Sequence, residues 1–137
     1  MPVTHLLDSS VFSQPIKDKP VQAALDRWSL LGDAAVCTAA MCLAEVLQGL
    51  KQRDSKKYWR RYHEFLEDRY EVLPFDTAVA DTFASLSADL LKMGNRKPAV
   101  DLFIAATAKH NSLIVATLNT RDFVGIPGLA VEDWSAS

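Results

Sequence analysis

The sequence predicts an α/β fold: a central, mostly parallel sheet flanked by helices. Two observations predict it. Short apolar runs at residues 4–7, 34–38 and 113–117 have the composition of buried strands. Longer segments between them carry apolar residues at helical spacing, and no hairpin turn joins one run to the next. Strands that alternate with helices pair in parallel and need cover on both faces.

The elements follow in order. The run Thr4-His5-Leu6-Leu7 ends at a carboxylate, Asp8, as a strand leaving the core would. Residues 20–31 place Val21, Ala24, Leu25, Trp28 and Leu31 on one helical stripe, and Gly32 stops it. Residues 34–38 make the second strand. A helix over 40–50 carries Cys42, Leu43, Val46, Leu47 and Leu50, with Glu45 at the edge of that stripe. A charged helix over 55–69 has Tyr58, Trp59, Tyr62, Phe65 and Leu66 on its apolar side. Val72-Leu73 is a brief strand. Asp76 caps a helix over 77–93, and Gly94 follows it. Pro98 opens a helix over 99–109, where Ala105, Ala106 and Ala108 allow close packing. Residues 113–117 form a buried strand and residues 129–131 a last edge strand.

Composition sets the class. The 137 residues fit one domain, 1–137, and 49% of them are apolar. That is enough apolar surface to offset chain entropy, so disorder is excluded as the main state. No apolar run approaches the ~20 residues that cross a bilayer, and no signal-peptide pattern opens the chain. A cytoplasmic protein without membrane contact is expected. A net charge of -2 excludes a strongly basic, charge-driven nucleic-acid binder, though not an enzyme with a local basic patch. Cys37 and Cys42 make no zinc motif and read as buried thiols. His5, His63 and His110 are scattered without ligand spacing.

Four of the 17 acidic residues stand at apolar boundaries, where a charge is costly. Asp8 follows the first strand. Glu45 lies beside an apolar stripe. Asp101 is in the first turn of an apolar helix, and Asp122 follows the strand at 113–117. Each has a plain structural alternative: a helix cap for Asp8, the helix dipole for Asp101, a pair with Lys51 for Glu45, a turn with Asn119 for Asp122. In a doubly wound sheet, all four can reach one crevice beyond the carboxyl ends of the strands. Clustered carboxylates demand a proton or a cation. A site of oxygens alone suits Mg²⁺, with Mn²⁺ as the alternative, and such sites handle phosphate oxygens.

These segments resemble a known family. Leu6-Leu7-Asp8-Ser9-Ser10-Val11 is similar to the opening of a PIN-domain nuclease. Ala44-Glu45-Val46-Leu47-Gln48-Gly49 resembles its second signature. Asp101-Leu102-Phe103-Ile104-Ala105-Ala106-Thr107-Ala108 resembles the third, and Thr117-Leu118-Asn119-Thr120-Arg121-Asp122-Phe123 the fourth. The tail, with Ile126-Pro127-Gly128-Leu129 and Trp134, also resembles this family. The chain's size points to its VapC toxin branch.

The resemblance implies a PIN-like three-layer fold and a Mg²⁺-dependent endoribonuclease. It implies an RNA substrate, with tRNA or rRNA the usual target, a VapB-type antitoxin partner and a homodimer. Asp8 and Asp101 would hold the metal directly; Glu45 and Asp122 would complete the catalytic set. Ser10 and Asn119, with Thr117 a comparable but weaker candidate, would orient ligands or water, with simple turn chemistry the alternative.

Arg96, Lys97 and Arg121 are the expected phosphate partners. Lys51, Arg53, Lys56, Lys57, Arg60 and Arg61, interleaved with Tyr58 and Trp59, form a second basic tract, for which a solvated helix face is the alternative. Phe12, Trp28, Leu47 and Trp59 offer an antitoxin groove, against ordinary core packing. Two other functions compete. A phosphatase using Asp8 would need a second Asp two positions on, where Ser10 stands. A non-catalytic PIN-like binding module has no need of four carboxylates.

Overall fold

Five parallel strands make one sheet in the order β3-β2-β1-β4-β5. The computed structural model describes residues 2–136. The strands are β1 (His5–Leu7), β2 (Val36–Ala39), β3 (Val72–Leu73), β4 (Ile114–Thr117) and β5 (Val131–Asp133). β1 is central, with Leu7 registered on Thr38 of β2 and on Ala116 of β4. The helices are α1 (Ser9–Phe12), α2 (Gln22–Leu31), α3 (Ala40–Arg53), α4 (Lys56–Phe65), α5 (Thr77–Lys92) and α6 (Ala99–His110).

Alternation along the strands makes two cores, because successive side chains point to opposite faces. Leu6, Cys37 and Val115 pack beneath α5 and α6, against Leu86, Leu90, Leu102 and Ile104. Leu7, Val36 and Ala116 face the other way, toward Phe12, Trp28, Leu50 and Tyr62. The result is the three-layer α/β fold that the sequence predicts. Ala105, Ala106 and Ala108 are fully buried, so α6 approaches closely. A larger side chain there would cost ~1–3 kcal/mol by overpacking. Asp76 accepts a hydrogen bond from the Val79 N–H at 3.0 Å, the expected cap of α5.

The structure corrects several boundaries. Residues 33–35 are a 3-10 turn, and β2 starts at Val36. α4 stops at Phe65, because the Leu66 and Glu67 N–H groups both close on the Tyr62 carbonyl and the chain then turns at Asp68, whose φ is 58°. Phe65 itself is exposed. The last strand is 131–133 rather than 129–131: Leu129 packs on the α5–α6 core instead, and Thr117 pairs with Asp133. Phe12 and Trp28 are core residues, stacked with centroids 6.2 Å apart; Phe12 is covered by the chain itself, whereas an edge of Trp28 lines a surface cavity with Leu25, Phe65 and Tyr70.

The tail is fixed by one carboxylate. Glu132 Oε1 lies 3.0 Å from His5 Nε2 and accepts from Arg27 at 3.1 Å and from the indole N–H of buried Trp134 at 3.1 Å. Burial raises its pKa. The hydrogen bonds of Trp134 and His5 and the nearby cations outweigh that, leaving it below the usual value.

Candidate metal centre

The topology decides where a site can form. β1 connects to β2 on one side and neighbours β4 on the other, so the connections part above β1 and leave a crevice at the strands' carboxyl ends. Asp8 leaves β1 into that crevice. Glu45 stands on α3, which rises directly from the end of β2. α6 leads down into β4, so its first turn, with Asp101, lies at the same end of the sheet. Asp122 closes the 3-10 turn Thr120–Asp122 that follows β4.

Asp8 is the most enclosed of the four, 5% exposed. Its Oδ1 accepts from the Ser10 hydroxyl at 2.5 Å and from the Val11 N–H at 3.2 Å. Its Oδ2 accepts from the Thr117 hydroxyl at 2.5 Å. Asp8 therefore does cap α1, as its structural alternative held. Desolvation still leaves its carboxyl above the usual range, although all these donors favour the ionised form. A cation would remove that conflict.

Asp101 is half-buried and stands among like charges. Its pKa is raised first by desolvation and then by the charges of Asp122 and Glu45, with a further push from Asp8; Lys97 alone opposes. The four carboxylates thus share one electrostatic neighbourhood. Glu45 is tied to the same spot by the Ser9 hydroxyl, which donates to its Oε1 at 3.0 Å. Cys42, beneath them, is a buried thiol pushed up to about 12 by burial, with Asp8 and Glu45 adding to the shift. Among the described residues, no three acidic, His or Cys side chains already stand close enough to hold an ion. The donor chemistry fits a hard divalent cation nonetheless: oxygens only, and an excess of negative charge.

The supporting residues divide. Ser10 and Thr117 touch Asp8 directly and lie 3.5 Å from each other. Ser10 also accepts from the Leu118 N–H, which ties α1 to the end of β4. Asn119 joins through its backbone N–H, donated to Thr117 Oγ1 at 2.9 Å. Lys97 donates to the Arg121 carbonyl at 3.2 Å and so stands by the crevice. Arg96 and Arg121 are exposed. The second basic tract is partly consumed: Lys57 and Arg61 are paired with Asp18. Sequence reasoning missed the Ser9–Glu45 bond; hydroxyls directly after Asp8 were the available signal. It also missed a cavity of about 320 Å³ that opens beside Glu45 and runs between α1, α3 and Tyr58.

Known proteins share this architecture. The chain is 30% identical over 130 residues to the tRNA(fMet)-specific endonuclease VapC of Shigella flexneri, covering 95% of this chain and 97% of that protein. The crystal structure of FitAcB from Neisseria gonorrhoeae matches with a TM-score of 0.85 at 31% identity, covering 96% of this chain and 98% of that one. The DNA-bound VapBC structure from Salmonella typhimurium matches with a TM-score of 0.82 at 30% identity, with the same coverage. The PIN domain model matches residues 5–129, which include all four crevice carboxylates. The chain belongs to the PIN domain family.

Proposed function

We propose that this chain is a VapC-type endoribonuclease, the toxin of a toxin–antitoxin pair, and that it hydrolyses RNA phosphodiesters with Mg²⁺ held by Asp8, Asp101, Glu45 and Asp122. One observation carries the metal assignment: the ends of β1 and β2, the first turn of α6 and the turn after β4 bring Asp8, Glu45, Asp101 and Asp122 to one end of the sheet, where burial and the other three charges push the Asp101 carboxyl up. A scaffold gains nothing from that repulsion, whereas a cation site needs it. Bound Mg²⁺ supplies a Lewis acid that polarises the phosphoryl oxygen and lowers the pKa of water.

The chain's own residues do the rest. Ser10, Thr117 and the Val11 N–H hold the Asp8 carboxylate in one orientation, so both of its oxygens have fixed directions. Ser9 holds Glu45 in the same way. Lys97 and Arg121, beside the acidic crevice, offset its repulsion of an incoming phosphate; Arg96 extends that cationic rim. The name of the Shigella relative favours tRNA as the substrate class. The FitAcB and VapBC structures favour a cognate antitoxin as the partner. A homodimer and a single-domain mode of action complete the reading.

The test is cleavage of total cellular RNA and of purified tRNA by the antitoxin-free chain, in Mg²⁺ and in EDTA, beside Asp101→Asn. A few discrete fragments that need Mg²⁺ and vanish in the variant are expected. Cleavage that persists in Asp101→Asn, or intact RNA with folded wild type in Mg²⁺, would overturn the reading.

A further inference from the structure

We infer that the cavity between α1, α3 and Tyr58 is a nucleotide subsite, which seats the base of a residue next to the bond cleaved in the acidic crevice. The inference rests on the ribonuclease reading for its place in the reaction. It rests on three features of the cavity itself for its occupant.

The first feature is position. The cavity shares Ser9, Ser10 and Glu45 with the acidic crevice, so an RNA strand whose phosphate lies there has its next base at the cavity mouth. Its volume of about 320 Å³ lies at the lower end of the range for small-ligand sites.

The second feature is lining. Ile16, Val46 and Leu50 give it an apolar floor, suited to the faces of a base. At the far end, the Arg53 guanidinium lies 4.4 Å from the centre of the Tyr58 ring, a flat cation of the kind on which bases stack. Lys17 stands at the same rim. Among the described residues, neither Lys17 nor Arg53 forms an ion pair, whereas the neighbouring Lys57 and Arg61 both pair with the one carboxylate of Asp18. Two unpaired cations at the rim match the phosphate on the far side of the same nucleotide. That charge complementarity selects RNA over an apolar peptide segment as the occupant.

The third feature is Gly49. It lines the cavity from inside α3, where glycine is the poorest helix former after proline. Its φ is not positive, and a Cβ there would meet nothing within 4 Å. Neither backbone conformation nor close packing calls for glycine. Its bare Cα leaves that stretch of the cavity wall without a side chain.

The test uses the full chain in EDTA, so binding is read apart from cleavage. Amide spectra are titrated with UMP, CMP, AMP and GMP, and with ribose 5-phosphate. At least one nucleotide should shift Ser13, Gly49 and Arg53 saturably. Ribose 5-phosphate should bind about 5- to 150-fold more weakly, the worth of one stacked base. Gly49→Leu, which favours the helix and fills the cavity, should abolish the shifts while the rest of the spectrum is kept. Arg53→Gln, on the exposed rim, should weaken them.

Equal binding of ribose 5-phosphate, no shifts with any nucleotide, or unchanged shifts in Gly49→Leu would overturn the subsite. So would a cavity blind to nucleotides whose filling instead prevents co-purification with the antitoxin, since that assigns it to the protein partner. Nucleotide binding without any Mg²⁺-dependent RNA cleavage would sink the ribonuclease reading, keeping the cavity as a nucleotide site but overturning its place beside a cleaved bond. Cleavage without nucleotide binding would do the reverse.

Discussion

Asp101 and Asp18 are both aspartates at the surface, and the fold treats them in opposite ways. Asp18 follows the 3-10 turn Gln14–Ile16 and accepts from the Tyr58 hydroxyl at 2.5 Å, from Arg61 at 2.8 Å and from Lys57. Its pKa falls well below the usual carboxylate range, first through the Tyr58 bond and then through Arg61 and Lys57. At Asp101 no hydrogen bond lowers the pKa, and three like charges help to raise it. The first carboxylate ties α4 to the turn before α2. The second is held where its charge costs the fold something. Local consistency marks the parts of a protein that serve stability, and local conflict marks the parts kept for chemistry.

The sharpest way to break this contrast is to remove the conflict. Asp101→Asn should lower RNA cleavage by at least about 100-fold. It should also raise the melting temperature at neutral pH without metal, because it removes a charge the folded state disfavours. A raised folded pKa means that the folded chain binds the proton more tightly than the unfolded chain. Stability is therefore greatest below the unfolded value near ~3.9 and declines as pH rises through the folded pKa. The gap between variant and wild type should close on acidification to about pH 3. Equal melting temperatures at neutral pH would show that Asp101 is not under strain.

Mg²⁺ should relieve the same conflict in the wild type. A ligand that binds only the folded state stabilises it by about 2.7 kcal/mol at one hundred times its dissociation constant. Thermal unfolding at rising Mg²⁺ should show an upward shift in the wild type and a smaller one in Asp101→Asn. A Ca²⁺ series would test whether the pocket of oxygens distinguishes ion size. No shift with either ion would remove the physical reason for gathering these carboxylates.

Much of this contrast was legible in sequence, and the illegible part has a common cause. Asp8 after an apolar run, Asp101 ahead of Leu102-Phe103-Ile104 and Asp76 before a helical stripe are local patterns, and the structure puts each at the expected end of its element. Apolar spacing also gave the α5–α6 layer. The bond from Thr117 to Asp8 joins residues 109 apart; Thr117 is a candidate by resemblance, but nothing local to either residue says that the two meet. Phe12 and Trp28 illustrate the same gap: periodicity says that a side chain is apolar, not whether the chain or a partner covers it. β5 reads Val-Glu-Asp, too charged for a strand by composition. It holds because Glu132 meets His5 and Arg27 from two distant places in the chain, as well as Trp134 two residues on.

That cluster gives the next test, on the stabilising side of the comparison. Glu132→Ala leaves the Trp134 N–H and the His5 ring without their acceptor, in a region where Trp134 is fully buried. A buried donor left unsatisfied costs about 1–3 kcal/mol. The urea midpoint should fall with an unchanged slope, while RNA cleavage by the folded fraction is retained. A loss of cleavage without a loss of stability would instead tie this end of the sheet to the crevice.

The smallest effect is expected at Asp18 itself. Its groups are open to solvent, so salt screens them and ordered side chains return part of the gain as lost entropy. Because its folded pKa is depressed, the stability it contributes is present above the unfolded value near ~3.9 and is lost as pH falls through the folded one. Asp18→Asn should therefore lower the melting temperature slightly at neutral pH and low salt. The loss should shrink in ~1 M salt and on acidification, opposite in sign to Asp101→Asn at every step. Loss of Asp18 also frees Lys57 and Arg61 beside Tyr58, at the rim where Arg53 and Lys17 have no ion-pair partner among the described residues. If that rim attracts RNA, the variant should bind single-stranded RNA more tightly than wild type with a steeper salt dependence, even as its fold weakens. A variant that loses stability and gains no RNA affinity would confine Asp18 and its partners to joining two elements, and would place the RNA-attracting charge elsewhere.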